Sequence, residues 1–300
     1  MVALENECLS VEIAALGGEM QSIRGRSGRE YLWQGDAAYW PRRAPNLFPC
    51  VGGLTDGVYT LRGQTYALPR HGFVPVTELQ LEERTETACT FLLAANEGTR
   101  ACYPFAFAYR IRYALREAGV EVCYLVENTG GETMFFGLGA HPGFFIPKGQ
   151  FDACRLVFDA PCAPVRIGVS EKGFVTPRRA AYPLKRGREL PLAGVNFPES
   201  LVLTGMSRAV TLCDGNSQPV IRMDFADFPF LVLWRSPGAP FLCIEPWHGL
   251  PSREGIREDF ATQPSLICLE SGAQFRAAFT ITVFEQEQEQ AAIRREKRLC

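Results

Sequence analysis

Residues 105–126 read FAFAYRIRYALREAGVEVCYLV. Two apolar runs, Phe105 to Leu115 and Val120 to Val126, lie either side of Arg116-Glu117-Ala118-Gly119, which predicts strand, turn and strand. The arrangement recurs upstream. Val58-Tyr59-Thr60-Leu61 and Thr65-Tyr66-Ala67-Leu68 flank Arg62-Gly63-Gln64, a second hairpin. Leu79 to Leu93 alternates around a polar middle, Glu82 to Thr87, and predicts a third. Downstream runs are Leu201-Val202-Leu203, Val220 to Phe225, Phe230 to Trp234, Phe241 to Ile244 and Phe275 to Phe284. Gly, Pro, Asn and Asp clusters separate them at short spacing, the pattern of an all-β chain forming a sandwich or barrel. Only Glu285 to Leu299 is helix-prone. Cys162 to Asn196, with many Pro, Arg and Gly residues and little periodicity, predicts a long excursion between sheets. No linker or internal repeat divides the chain. We expect one β domain over 1–284 and a charged tail over 285–300, acidic then basic, as a terminal helix or frayed end.

Composition narrows the function classes. The 300 residues are 47% apolar, too apolar for disorder, and the 28 Gly and 21 Pro follow no Gly-X-Y period. A net charge of -2 gives no surface for nucleic acid. The amino terminus carries Glu5 and Glu7 where a secretory signal needs positive charge, and no run approaches a membrane span of about 20 residues. Eleven cysteines, an odd number without Cys-x-x-Cys spacing, lie in apolar runs such as Leu242-Cys243-Ile244. They are expected to be packed thiols in a reducing compartment, and the protein to be cytoplasmic.

Three histidines exist: His71, His141 and His248. The first two sit among glycine and proline, in Pro69-Arg70-His71-Gly72-Phe73 and Gly139-Ala140-His141-Pro142-Gly143-Phe144, at turns beside apolar strands. Such turns commonly display functional side chains, and imidazole shuttles protons near neutrality. A loop histidine bonded to backbone fits the same residues. In Phe241-Leu242-Cys243-Ile244-Glu245-Pro246-Trp247-His248 an apolar strand delivers a carboxylate, then a proline expected to end ladder pairing. Desolvation would raise the Glu245 pKa as a general base requires, while a structural ion pair is the other reading. Asp224 and Asp227 read as turn and cap residues rather than a glycosidase pair. Gly17-Gly18 and Gly130-Gly131 complete no phosphate loop, no Gly-x-Ser-x-Gly elbow is present, and no His-Glu-x-x-His spacing suggests a metal.

The order of motifs resembles the aldose 1-epimerase (galactose mutarotase-like) family, in its short bacterial branch. The matching stretches are Leu16 to Ile23, Glu30-Tyr31-Leu32-Trp33-Gln34-Gly35, Asn46-Leu47-Phe48-Pro49, Arg70-His71-Gly72-Phe73, Gly139 to Phe144 and Cys243-Ile244-Glu245-Pro246-Trp247. The resemblance implies a large antiparallel β-sandwich with a sugar cleft on one sheet. It implies His141 as general acid, Glu245 as general base and His71 as a sugar contact. Arg43 would reach the substrate, Trp247 and Phe144 would wall the cleft, and Glu199 lies near a position that binds sugar hydroxyls. No metal, nucleotide or redox cofactor is needed. A free aldohexose is the implied substrate, with a monomer or homodimer as the expected assembly.

Besides a turn change at Ser271-Gly272-Ala273, where relatives usually read Pro-Gly-Glu, two positions depart from the family pattern. Gly53, in Gly52-Gly53-Leu54, stands where relatives carry arginine, and Pro75 stands where the phosphate-binding branch carries another. These losses make an unphosphorylated sugar the expected substrate. They also keep two rivals open: a sugar-binding protein without turnover, and a hexose-6-phosphate 1-epimerase using Arg42, Arg43 or Arg70.

Overall fold

The quoted hairpin forms as read. Strands Phe107–Arg116 and Gly119–Asn128 pair antiparallel along their whole length around a turn at Glu117 and Ala118. The computed structural model describes residues 1–195 and 200–285; the predicted tail falls almost wholly outside them. Tyr109, Ile111 and Tyr113 alternate with Arg110 and Arg112, so one face of the hairpin enters the core and the other meets water. On the wet face Arg110 pairs with Glu82 at 2.8 Å.

The hairpin lies within a nine-stranded antiparallel sheet. Its order is Glu189–Pro191, Arg155–Phe158, Ala209–Cys213, Pro219–Asp224, Gln274–Val283, Gly119–Asn128, Phe107–Arg116, Ala88–Ala94 and Gln80–Arg84. A second, eight-stranded sheet packs against it. Its order is Val175–Ala181, Val165–Val169, Leu201–Thr204, Phe230–Trp234, Phe241–His248, Leu138–Ala140 and Asn46–Leu47, with Gly143–Phe145 also paired to Phe241–His248. The core between the sheets takes Leu201, Leu203, Leu231, Leu233, Leu242 and Ile244 from the second sheet. The fold is an all-β antiparallel sandwich.

The two sheets differ on their outer faces. That of the second sheet is apolar and buried, carrying Val202, Val232 and Trp247 in one cluster and Phe241 and Cys243 in another. By the two-residue period of a strand, Cys243, Glu245 and Trp247 therefore share this outer face. A slip of one residue would drive the Glu245 carboxyl into the core and expel Leu242 and Ile244, so the register is strongly specified.

Three expectations change. The stretch 162–196 is built into the sheets: Val165–Val169 and Val175–Ala181 form a hairpin at the edge of the second sheet, and Glu189–Pro191 borders the first. Pro246 does not end its strand, because Leu231 pairs with it and pairing continues through Trp247. Its backbone nitrogen points to the same side as that of Ile244, whose N–H reaches Pro142, where the neighbouring chain breaks between Ala140 and Gly143. On the opposite side the ladder to Phe230–Trp234 needs no N–H from Pro246 and continues past it. The described α-helix is Glu97–Cys102, started by a reciprocal cap between Asn96 and Thr99. Among the described residues no helix is long and apolar enough to cross a membrane, and the cysteines are free thiols.

Candidate active site

His141 stands at the break between Leu138–Ala140 and Gly143–Phe145, its backbone N–H bonded to the Pro45 carbonyl at 2.9 Å. Its ring stacks on Trp40 with centroids 4.8 Å apart and meets Trp234 edge-on at 5.5 Å. Its Nε2 lies 3.3 Å from Oε2 of Glu245, delivered by the adjacent strand Phe241–His248. Glu245 is fully buried, and neither its carboxyl oxygens nor His141 Nδ1 has an aligned hydrogen-bond partner. Buried polar groups are normally satisfied, so unspent capacity around one hollow marks a place for a polar ligand.

His71 completes the cluster, perpendicular to His141 at 5.6 Å and to Trp247 at 5.9 Å. The Gly52 N–H donates to its Nδ1 at 3.1 Å, which leaves the ring hydrogen on Nε2. His71 is therefore a neutral donor. The next residue has to be glycine: Gly72 has φ +75°, and a Cβ there would lie 2.2 Å from the Phe48 carbonyl oxygen. Gly72→Ala is expected to cost about 2–4 kcal/mol of stability, read by chemical denaturation. An unchanged midpoint would show that this backbone yields.

The three rings line a cleft of about 300 Å³ together with Trp40, Trp234 and Arg70. That is the small end of the range for ligand pockets, the scale of a monosaccharide. Hollows of about 580 and 800 Å³ elsewhere contain no comparable proton-transfer pair. Tryptophan faces with a few polar groups suit a sugar ring, which is apolar on its C–H face and polar at its rim.

Burial sets the charge state. Desolvation holds His141 down to about 3 and pushes the Glu245 carboxyl well above its usual range, the nearby Trp247 indole partly offsetting the latter. Desolvation also holds His71 well below its ordinary value, helped by His141, Arg70 and Arg42. Both shifts favour the uncharged forms, a carboxylic acid beside a neutral imidazole that share one exchangeable proton.

The family model for aldose 1-epimerases matches residues 1–259. The chain belongs to the aldose 1-epimerase family. The plasmid protein LacX of Lactococcus lactis subsp. lactis is 34% identical over 262 residues, covering 83% of this chain and 88% of that protein. A galactose mutarotase related enzyme from Lactobacillus acidophilus superposes with a TM-score of 0.90 at 30% identity, covering 95% of this chain and 97% of that one. A galactose mutarotase-like protein from Lactobacillus casei ATCC 334 gives 0.89 at 30% identity, with 95% and 100% covered.

In this aldose 1-epimerase family chain, His71, His141, Glu245 and Trp247 converge. Arg43 and Phe144 do not join them. The Arg43 guanidinium binds the Gln21 side chain at 2.6 Å and the Gln34 carbonyl at 3.3 Å, outside the cleft lining. Phe144 is in the main core, paired with Leu242. Glu199 lies outside the described residues. Asp224 is bound to Arg222, and Asp227 accepts the Ala278 N–H, both away from the cleft lining. Trp40 and Trp234 enter the cleft without having stood out as site residues, the local signal for Trp40 being its place beside Arg42 and Arg43; Arg70, weighed only as a phosphate holder, enters it too. His141, Cys243 and Glu245 also bring three ligand-type atoms within 4.8 Å. Two of these belong to the proton-transfer pair, and burial keeps the Cys243 thiol protonated well above its usual range.

Proposed function

We propose that this protein is an aldose 1-epimerase that interconverts the α and β anomers of a free aldohexose. The observation that carries the reading is the buried His141–Glu245 contact of 3.3 Å, in which His141 lines a tryptophan-walled, monosaccharide-sized cleft and Glu245 lies directly behind it. Ring opening needs one proton removed from O1 and one delivered to the ring oxygen. Glu245 as carboxylate takes the O1 proton while His141 as imidazolium protonates the ring oxygen. The C1–O5 bond breaks and C1 becomes an aldehyde. Rotation about C1–C2 presents the other carbonyl face, and the same transfers in reverse close the ring.

The step turns an ion pair into a neutral acid and neutral base. The ion pair is the tautomer in which the shared proton sits on His141, and ring opening returns the pair to the uncharged forms that desolvation favours. His71 Nε2–H donates to a sugar oxygen throughout. Fresh α-D-galactose and α-D-glucose followed by polarimetry test the proposal: acceleration over buffer is expected, and its absence with both sugars would overturn it.

The pH dependence carries a sign. The pair gains a second proton only as pH falls towards about 3, and loses its single proton only well above the ordinary carboxyl range. No inflection in kcat/KM is expected as pH passes through 6.5, the ordinary histidine value. A histidine titrating independently would give an inflection near 6.5, with activity falling as pH rises through it. That inflection in the polarimetric profile would separate the two groups.

A further inference from the structure

Arg70 is an exposed arginine whose guanidinium lies where two backbone segments lack side chains. A Cβ built on Gly53 would lie 3.3 Å from its Nη2, and one built on Gly173 would lie 3.2 Å from its Nη1. Gly173 is at φ +83° in the tip of the hairpin formed by Val165–Val169 and Val175–Ala181, where its N–H bonds the Ser170 carbonyl. The hairpin tip and the Gly52-Gly53 segment thus form a slot, and the guanidinium fills it at the wall of the cleft. Its hydrogen bond among the described residues is from Nη2 to the Lys172 carbonyl at 3.2 Å, and no carboxylate there pairs with it. Its charge reaches the cleft, since it helps to hold down both His71 and His141. Arg42, by contrast, is paired with Glu19 and bonded to the Pro75 carbonyl. A planar fork with most of its donors unspent, clamped beside the reacting pair, is built to receive acceptor oxygens.

We infer that Arg70 is the substrate-gripping residue of this cleft, binding the sugar oxygens that Glu245 and His141 do not use, with Gly53 as the positioning residue that leaves room for its guanidinium. This deepens the epimerase reading and rests on it. The oxygens are those of hydroxyls or of a phosphate, and the two are separated by substrate. Gly53 has no positive φ, so Gly53→Ala leaves the backbone unstrained and only crowds the guanidinium by a few tenths of an ångström.

The test measures KM and kcat by polarimetry for wild type, Arg70→Gln, Arg70→Lys, Gly53→Ala and the Arg70→Gln/Gly53→Ala double variant. The substrates are α-D-galactose and α-D-galactose 6-phosphate. Arg70→Gln is expected to raise KM for galactose about 10–100-fold with kcat changed less than about threefold, the loss of hydrogen bonds to a charged donor. Arg70→Lys restores the charge without the fork and recovers KM only in part. Gly53→Ala raises KM about threefold in wild type and has no effect once Arg70 is glutamine, a coupling that a merely structural glycine would not show. A KM effect confined to the 6-phosphate assigns the grip to phosphate and overturns the free-sugar substrate. Unchanged KM for both sugars in Arg70→Gln overturns the inference while leaving the epimerase standing. If wild type accelerates neither sugar, the epimerase reading falls by itself, and quenching of the cleft tryptophans by galactose decides the grip. Weaker binding by Arg70→Gln supports it; equal binding, or none by wild type, overturns it.

Discussion

Glu245→Gln is expected to slow mutarotation by about 10²–10⁴-fold, the value of a positioned proton transfer, while the fold is kept. Glutamine has the size and shape of the buried carboxyl but cannot take the O1 proton. The same variant should gain stability as activity is lost. The Glu245 pKa is raised in the folded protein above its unfolded value of 4.5, so its favourable contribution is complete below 4.5 and drains away as pH rises towards the folded pKa. Each pH unit in that window costs wild type about 1.4 kcal/mol that glutamine does not pay. At pH 7 the glutamine variant is expected to melt higher than wild type, the difference vanishing near pH 4. Calorimetry at the two pH values beside polarimetry reads both halves. Near-normal turnover would remove Glu245 from the mechanism, and equal Tm at both pH values would show that its carboxyl is not desolvated.

His141→Asn is the second large effect, again about 10²–10⁴-fold. The ring lies between Trp40 and Glu245, and an amide cannot deliver a proton to the ring oxygen. Because both residues handle one shared proton, the costs should not add: the His141→Asn/Glu245→Gln double variant is expected within about tenfold of the slower single variant. Strict multiplication of the two losses would mean that the groups act on separate protons. Retained galactose binding by His141→Asn, read by tryptophan quenching, keeps a catalytic loss distinct from an unfolded cleft.

Much of the architecture was legible because its strands alternate in burial. Tyr109, Ile111 and Tyr113 point inwards and Arg110 and Arg112 outwards, so hydrophobic patterning reports the strand directly. Val175–Ala181 was illegible for the converse reason. As an edge strand exposed along most of its length it has no buried face, and Thr176, Pro177, Arg178 and Arg179 follow no period. Pro246 misled because the rule that proline ends pairing concerns a missing N–H, and here the nitrogen faces away from Phe230–Trp234, whose ladder continues past it. Arg42 and Arg43 show the limit at the site. Neighbours in sequence, they leave the chain in different directions, one to Glu19 and the other to Gln21. Arg70 was visible as a residue, but the slot that aims it is made by Gly53 and Gly173, segments 120 residues apart.

The sequence by itself determined which chemical groups are present and which strand face each occupies. Cys243, Glu245 and Trp247 share a face because the side-chain period of a strand is two, and Gly72 beside His71 permits the turn that displays it. Tertiary structure alone decided that His141 and Glu245 meet across 104 positions, that both are removed from water, and that Arg70 rather than Arg43 lines the cleft. The reason is physical. Distance and desolvation are properties of everything packed around a group, and they set its charge, whereas a local stretch of chain specifies only what that group is.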